Sequence, residues 1–153
     1  MNKDLKLNID TAFELMKMKF EHLSRATDVL DQKSGYIMAV ITAILGGIGF
    51  LSTDLIGLNI FTLGVIFICF ALLIFFLMNY AIPWHYPPHE DVIYSDKTLK
   101  MNSADYKNQM TSDIKKAFQE NHIKHKRKSF LFNLAMFFLM IGIMMSLIDL
   151  LLG

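Results

Sequence analysis

Residues 55–84 read LIGLNIFTLGVIFICFALLIFFLMNYAIPW, thirty consecutive positions without Asp, Glu, Lys or Arg. A helix rises about 1.5 Å per residue, so about 20 apolar residues cross the ~30 Å hydrocarbon core of a bilayer. Two further charge-free runs flank this one, residues 34–53 and 129–148, each of 20 residues. Together the three make 70 of the 153 residues, which leaves too little polar chain to cover them in a soluble core. In lipid, a single segment satisfies its own backbone polar groups only as a helix. The expected fold is an all-α membrane protein with three transmembrane helices, at 34–53, 55–82 and 129–149.

Composition supports this class. The chain is 54% apolar and 19% charged, against about 45–50% and ~25% for soluble domains, which excludes a disordered or collagen-like protein. One Cys excludes an intramolecular disulfide framework. A net charge of +1 excludes a nucleic-acid binder that relies on bulk charge. The 33 residues before the first run contain six acidic ones, unlike the short basic start of a signal peptide, so the N-terminal part is expected to stay in the mature protein.

The basic residues set the expected orientation. Six of the 15 Lys and Arg precede Ser34, and the other nine lie between Pro83 and Lys128. By the positive-inside rule, the N-terminus and the middle segment are cytoplasmic, and the turn at Asp54 and the C-terminus are outside. Lys124, Lys126, Arg127 and Lys128 stand just before the third run as an orienting anchor that also attracts anionic lipid. Tyr80, Trp84 and Tyr86 form an interfacial aromatic belt, and Pro83, Pro87 and Pro88 end the second helix. Because its charge-free run is longer than needed, the second span is expected to tilt or project.

The aqueous part shows a helical period. Ile9, Phe13, Met16, Phe20, Leu23, Thr27 and Leu30 alternate steps of four and three, a heptad seam on an amphipathic helix over 8–33. Asp10 and Thr11 are candidate caps for its early turns. A Pro-rich turn and irregular segment is expected over 83–102, then a cytoplasmic helix over 103–128 capped by Ser103, with Tyr106, Met110, Ile114, Ala117 and Asn121 on one face. The two stripes can pair as a cytoplasmic stalk, or one of them can bind another subunit or a partner protein.

Small residues line the first span at Gly35, Ala39, Thr42, Gly46 and Gly49, again in steps of four and three. Gly57 and Gly64 in the second span and Gly142 in the third are similar. In lipid such positions allow close helix approach, within one subunit or between copies, so a homo-oligomer is expected. Asn133, one turn inside the third run, either lines an aqueous path or, as expected here, bonds a neighbouring helix. No Asp, Glu, Lys or Arg lies deep in a run, which argues against a proton-coupled pump, a voltage sensor or a small transporter. His122 with His125, and His85 with His89, fall short of the three or four fixed ligands of a zinc site, and Cys69 lies within the second run. No phosphate loop, HExxH or nucleophile elbow is present. No metal, cofactor or enzymatic activity is expected.

The run Asp31-Gln32-Lys33-Ser34-Gly35, followed by apolar sequence to Phe50, resembles the Asp-x-Lys-Ala-Gly approach to the first span in Pycsar transmembrane effectors and the related SLATT domains of bacterial conflict systems. Asp31, Lys33 and Gly35 match that pattern, and Ser34 stands where Ala is usual. The preceding amphipathic helix, the hairpin ending in a proline and the Lys-rich helix from Lys115 to Lys128 fit the same layout. The resemblance implies an inner-membrane effector of bacterial antiphage defence that assembles and impairs the membrane when triggered by a nucleotide second messenger or a cytoplasmic sensor protein. These 153 residues have no room for a separate nucleotide-binding domain, so sensing is expected in the cytoplasmic helices or in another protein. The alternative function is a non-toxic membrane scaffold that tethers a cytoplasmic partner through the heptad helix.

Overall fold

Two asparagines decide where helices start. Asn59 Oδ1 accepts from the Thr62 backbone N–H at 2.8 Å, and the Asn59 carbonyl accepts from Leu63 N–H at 3.2 Å. Asn102 Oδ1 accepts from Ala104 N–H at 3.1 Å and Asp105 N–H at 2.9 Å, while its Nδ2 donates to the Asp105 carboxylate. These bonds satisfy orphan amides of a first turn, which is the work of an N-cap. The cap of the last helix is thus Asn102 and not the expected Ser103, because only the residue before the first helical one directs its side chain onto those amides.

The structure, a computed structural model, describes residues 3–51, 59–80, 82, 84 and 100–152. Side-chain surroundings at 3–7, 47–51 and 150 are outside the description. All regular structure among the described residues is helical: α1, Lys3–Leu51; α2, Ile60–Tyr80; and α3, Ser103–Leu152. The amphipathic and apolar parts of α1 run together, as do those of α3, since no proline interrupts either. Asp10 and Thr11 lie inside α1 and cap nothing, because the helix has already begun at Lys3. With 21 residues, the described part of α2 is about 31 Å long, enough to cross the bilayer core. Hydroxyls inside the helices bond back to their own chain: Thr27 to Leu23 O, Thr42 to Met38 O, and Ser146 to Gly142 O, all at 2.8–2.9 Å.

The chain divides into two units. The first comprises Met1–Thr27 and Trp84–His125. Its helices meet along the two stripes read from the sequence: Leu23 and Thr27 of α1 are buried, as are Met110, Ala117 and Asn121 of α3. Ile9, Phe13, Met16 and Phe20 are half-buried on the same face. Lys107 Nζ donates to Asp10 Oδ1 at 2.6 Å, and Thr27 Oγ1 lies 2.9 Å from His125 Nδ1. The partners are 97 and 98 residues apart, so α1 and α3 run parallel within this unit.

The second unit comprises Asp28–Pro83 and Lys126–Gly153. Ile41, Ile68, Phe75 and Ala135 form its core, with Phe75 set edge-on to Phe132 at 5.7 Å. Small and polar groups face inward, with Ser34, Ala71 and Ala135 fully buried. Large apolar side chains face outward on every helix: Tyr36, Val40 and Ile44 on α1, Phe70, Leu73 and Leu77 on α2, Phe137, Met140 and Met144 on α3. Water would not tolerate so extensive an apolar surface, whereas lipid does, and small residues at the contacts are what close packing in lipid requires. Two helices among the described residues are long and apolar enough to cross a membrane, α2 and the stretch of α3 within Ser103–Asp149. The chain is an all-α membrane protein.

Candidate functional site

Where the apolar runs of α1 and α3 begin and that of α2 ends, the second unit gathers polar side chains. Lys128 Nζ donates to both oxygens of Asp31, at 2.8 and 2.7 Å, and the Lys128 side chain is only 6% exposed. A lysine with so little access to water needs a bonded counter-charge, and Asp31, at the rim with 37% exposure, supplies it. One turn further in, the buried Ser34 hydroxyl donates to Asp31 O at 2.8 Å and to Asn79 Oδ1 at 3.0 Å. Asn79 Nδ2 then reaches Met38 Sδ at 3.4 Å. All three helices contribute to this cluster. Asp31 of the family-like motif is therefore a structural acceptor, while Lys33 and Gly35 are exposed. Lys128 faces inward, unlike its neighbours in the basic cluster: Lys126 and Arg127 are exposed and Lys124 is half-buried. The sequence signal for the pair was an equal spacing, since Asp10 to Lys107 and Asp31 to Lys128 both span 97 residues. Asn79 gave no such signal.

The small residues fall into two classes. A Cβ added to Gly64 would meet Gly142 O at 2.8 Å and Ser146 Oγ at 2.6 Å; one added to Gly142 would meet Gly64 O at 2.7 Å. The backbones of α2 and α3 therefore touch here, and these two glycines pack inside the subunit. On α1, Gly35 and Gly46 have nothing within 4 Å of an added Cβ, and Ala39 and Thr42 are exposed. This line points away from the helices of its own unit. Gly49 and Gly57 lie outside the residues whose surroundings are described, as do Asp54, His85, Tyr86, Pro87, Pro88 and His89.

Open apolar grooves among the described residues include one in each unit. In the first unit, Leu15, Met18, Lys19, His22, Leu23 and Phe118 line a groove of about 540 Å³. In the second, Ile82, Lys126, Arg127, Phe130 and Leu131 line one of about 360 Å³. Trp84, expected in an interfacial belt, is half-buried 6.4 Å from Phe20, and its indole N–H is buried without a hydrogen-bond partner. Tyr80 is exposed and stacks on Phe76 at 4.4 Å. Asn133 is exposed, so the expected bond to a neighbouring helix is replaced by an outward position. Cys69 is exposed on α2. Among the described residues, no group of three or more His, Cys, Asp or Glu is arranged to hold a metal.

The pattern of helices, with a motif at Asp31–Gly35 whose carboxylate and serine organise the first turn of the apolar run, has a counterpart among known families. The profile of the Pycsar effector protein domain matches residues 15–153. The chain belongs to this family. Membership carries the role of an effector in antiphage defence, acting at a membrane. The matched region takes in the seam from Met16 onward, the motif and all three apolar runs. No curated protein and no solved structure matches the chain.

Proposed function

We propose that this Pycsar-family effector spans the bacterial inner membrane three times, N-terminus inside and C-terminus outside, and assembles with copies of itself to break membrane integrity once triggered. The observation that carries this reading is the open line of small residues on α1. Gly64 and Gly142 are consumed by contact within the subunit, whereas Gly35, Ala39, Thr42 and Gly46 line a face with room for another helix backbone. Small residues without close neighbours lose packing that a partner helix would restore. The third span is the apolar part of α1, whose charge-free run continues to residue 53. The Lys and Arg distribution supports the orientation, because both basic segments fall on one side when three spans are counted. The role asked of the chain is assembly and disruption, without enzymatic chemistry or cofactor.

In this scheme the aqueous helices receive the trigger, a nucleotide second messenger or a sensor protein. Inducible expression in cells carrying a membrane-potential dye tests the effect. Triggered cells should depolarise, and Gly46→Leu should prevent it while the protein still inserts. Retained potential in triggered wild-type cells would sink the proposal. A reporter fused within residues 90–100 should read as cytoplasmic.

A second reading, a tether for a cytoplasmic partner, draws support from the groove beside Phe118. The seam itself is largely occupied within the first unit, so the exposed Leu15 and Met18 are the residues to change. Leu15→Lys with Met18→Lys should then abolish partner capture and leave the membrane unaffected.

A further inference from the structure

The groove lined by Ile82, Lys126, Arg127, Phe130 and Leu131 is apolar within, although two of its five residues are cations. Phe130 is 67% exposed. Lys126 and Arg127 are exposed, so they line the groove with their hydrocarbon stems while their charges remain open to solvent. The position along the chain matters as much as the composition. The two cations are the residues before Lys128, and the uncharged run begins at Ser129. On α3 the charged edge therefore sits at the water-facing limit of a lipid-facing stretch, and the apolar wall extends into it. Lys128, the last basic residue of the cluster, is held by Asp31, so it leaves Lys126 and Arg127 to act outward.

A molecule that fits such a groove carries negative charge at one end and a hydrocarbon chain at the other. We propose that the groove binds an anionic phospholipid, its phosphate held between Lys126 and Arg127 and its acyl chain lying along Phe130, Leu131 and Ile82. An arginine suits the phosphate through paired N–H donors, and a lysine adds a point charge. A soluble phosphate would use only the edge and leave the apolar wall empty. The site would tie the effector to membrane regions rich in anionic lipid.

The test uses the full chain in detergent, titrated with phosphatidylglycerol and with phosphatidylcholine of the same acyl chains, bound lipid being counted by native mass spectrometry. A basic side chain at an anionic surface favours binding about fivefold, so two should favour the anionic lipid by about 30-fold. Lys126→Gln with Arg127→Gln should reduce that preference to parity. Lys115→Gln with Lys116→Gln, exposed in the other unit, should leave it unchanged. Phe130→Ala should weaken both lipids alike and keep the ratio. Three results would overturn the assignment: equal binding of the two lipids by the wild type, equal loss of preference in the control pair, or displacement of the lipid by inorganic phosphate at matched concentration.

Discussion

Replacing Gly64 or Gly142 by Ala sets a single methyl group against a backbone. At Gly64 the new Cβ would lie 2.8 Å from Gly142 O and 3.1 Å from Ser146 N; at Gly142 it would lie 2.7 Å from Gly64 O and 3.1 Å from Ile68 N. The Ser146 hydroxyl at 2.6 Å can turn aside, but the carbonyl oxygens cannot, and Ile68 Cγ1 at 2.6 Å is held by the single χ1 rotamer that a helix allows isoleucine. Relief requires α2 and α3 to separate by roughly 0.5–1 Å, a gap that forfeits a quarter to a half of each van der Waals contact along the seam. Overpacking of this kind costs about 1–3 kcal/mol, and the gain in helix propensity from Gly to Ala returns about 0.5–1. At the middle of both ranges each variant should therefore lose about 1 kcal/mol. The double variant should cost less than the sum, because one separation relieves both clashes. Equilibrium unfolding of the full chain in mixed micelles measures these differences. Gly35→Ala and Gly46→Ala are the controls. With nothing within 4 Å, each should leave the subunit as stable or slightly more so. A Gly64→Ala protein as stable as the wild type would refute the close contact of α2 and α3.

Other outcomes follow from the same contacts. Lys128→Met removes the cation that Asp31 accepts from and should destabilise the second unit by about 1–2 kcal/mol, below the 3–5 of a fully buried pair because Asp31 can reach water. Adding Asp31→Asn should recover most of that loss, as read by the same unfolding titration. Asn102→Ala removes the acceptor for two amides at the start of α3 and should cost about 1 kcal/mol, with fraying at residues 103–106 visible as faster amide exchange. Ser34→Ala should cost about 0.6–1 kcal/mol, the usual range for an interhelical bond in a membrane protein, and leave Asn79 without its hydroxyl donor. Gly46→Leu should lower the fraction of cross-linked oligomer in native membranes while single subunits stay folded.

The parts of this protein legible in its sequence are those set by a long, uniform signal. Three charge-free runs suffice for a helical membrane protein, and Leu23 and Thr27 of the stripe expected on α1 are buried in the first unit. The five-residue motif led to the family. Caps are less legible: Asn59 lies inside a charge-free run and there looks like part of the span, although asparagine is among the best N-caps. The basic cluster reads in sequence as four equivalent charges, yet Lys128 turns inward while Lys126 and Arg127 do not. Helical phase separates these three, since neighbouring residues point about 100° apart. Local periodicity could not separate Gly142 from Gly46, because whether a small residue meets a neighbour depends on which helix lies opposite.

The bond between Asp31 and Lys128 joins positions made at different times. At a synthesis rate of ~5–20 residues per second, the lysine follows the aspartate from the ribosome by roughly 5–20 seconds. Throughout that interval the carboxylate has no cation of its own to neutralise it, and water must solvate it at the membrane surface. Docking of the first helix onto the last is thus a late event in biogenesis, and a nascent chain stalled before residue 128 should carry an unsecured first helix.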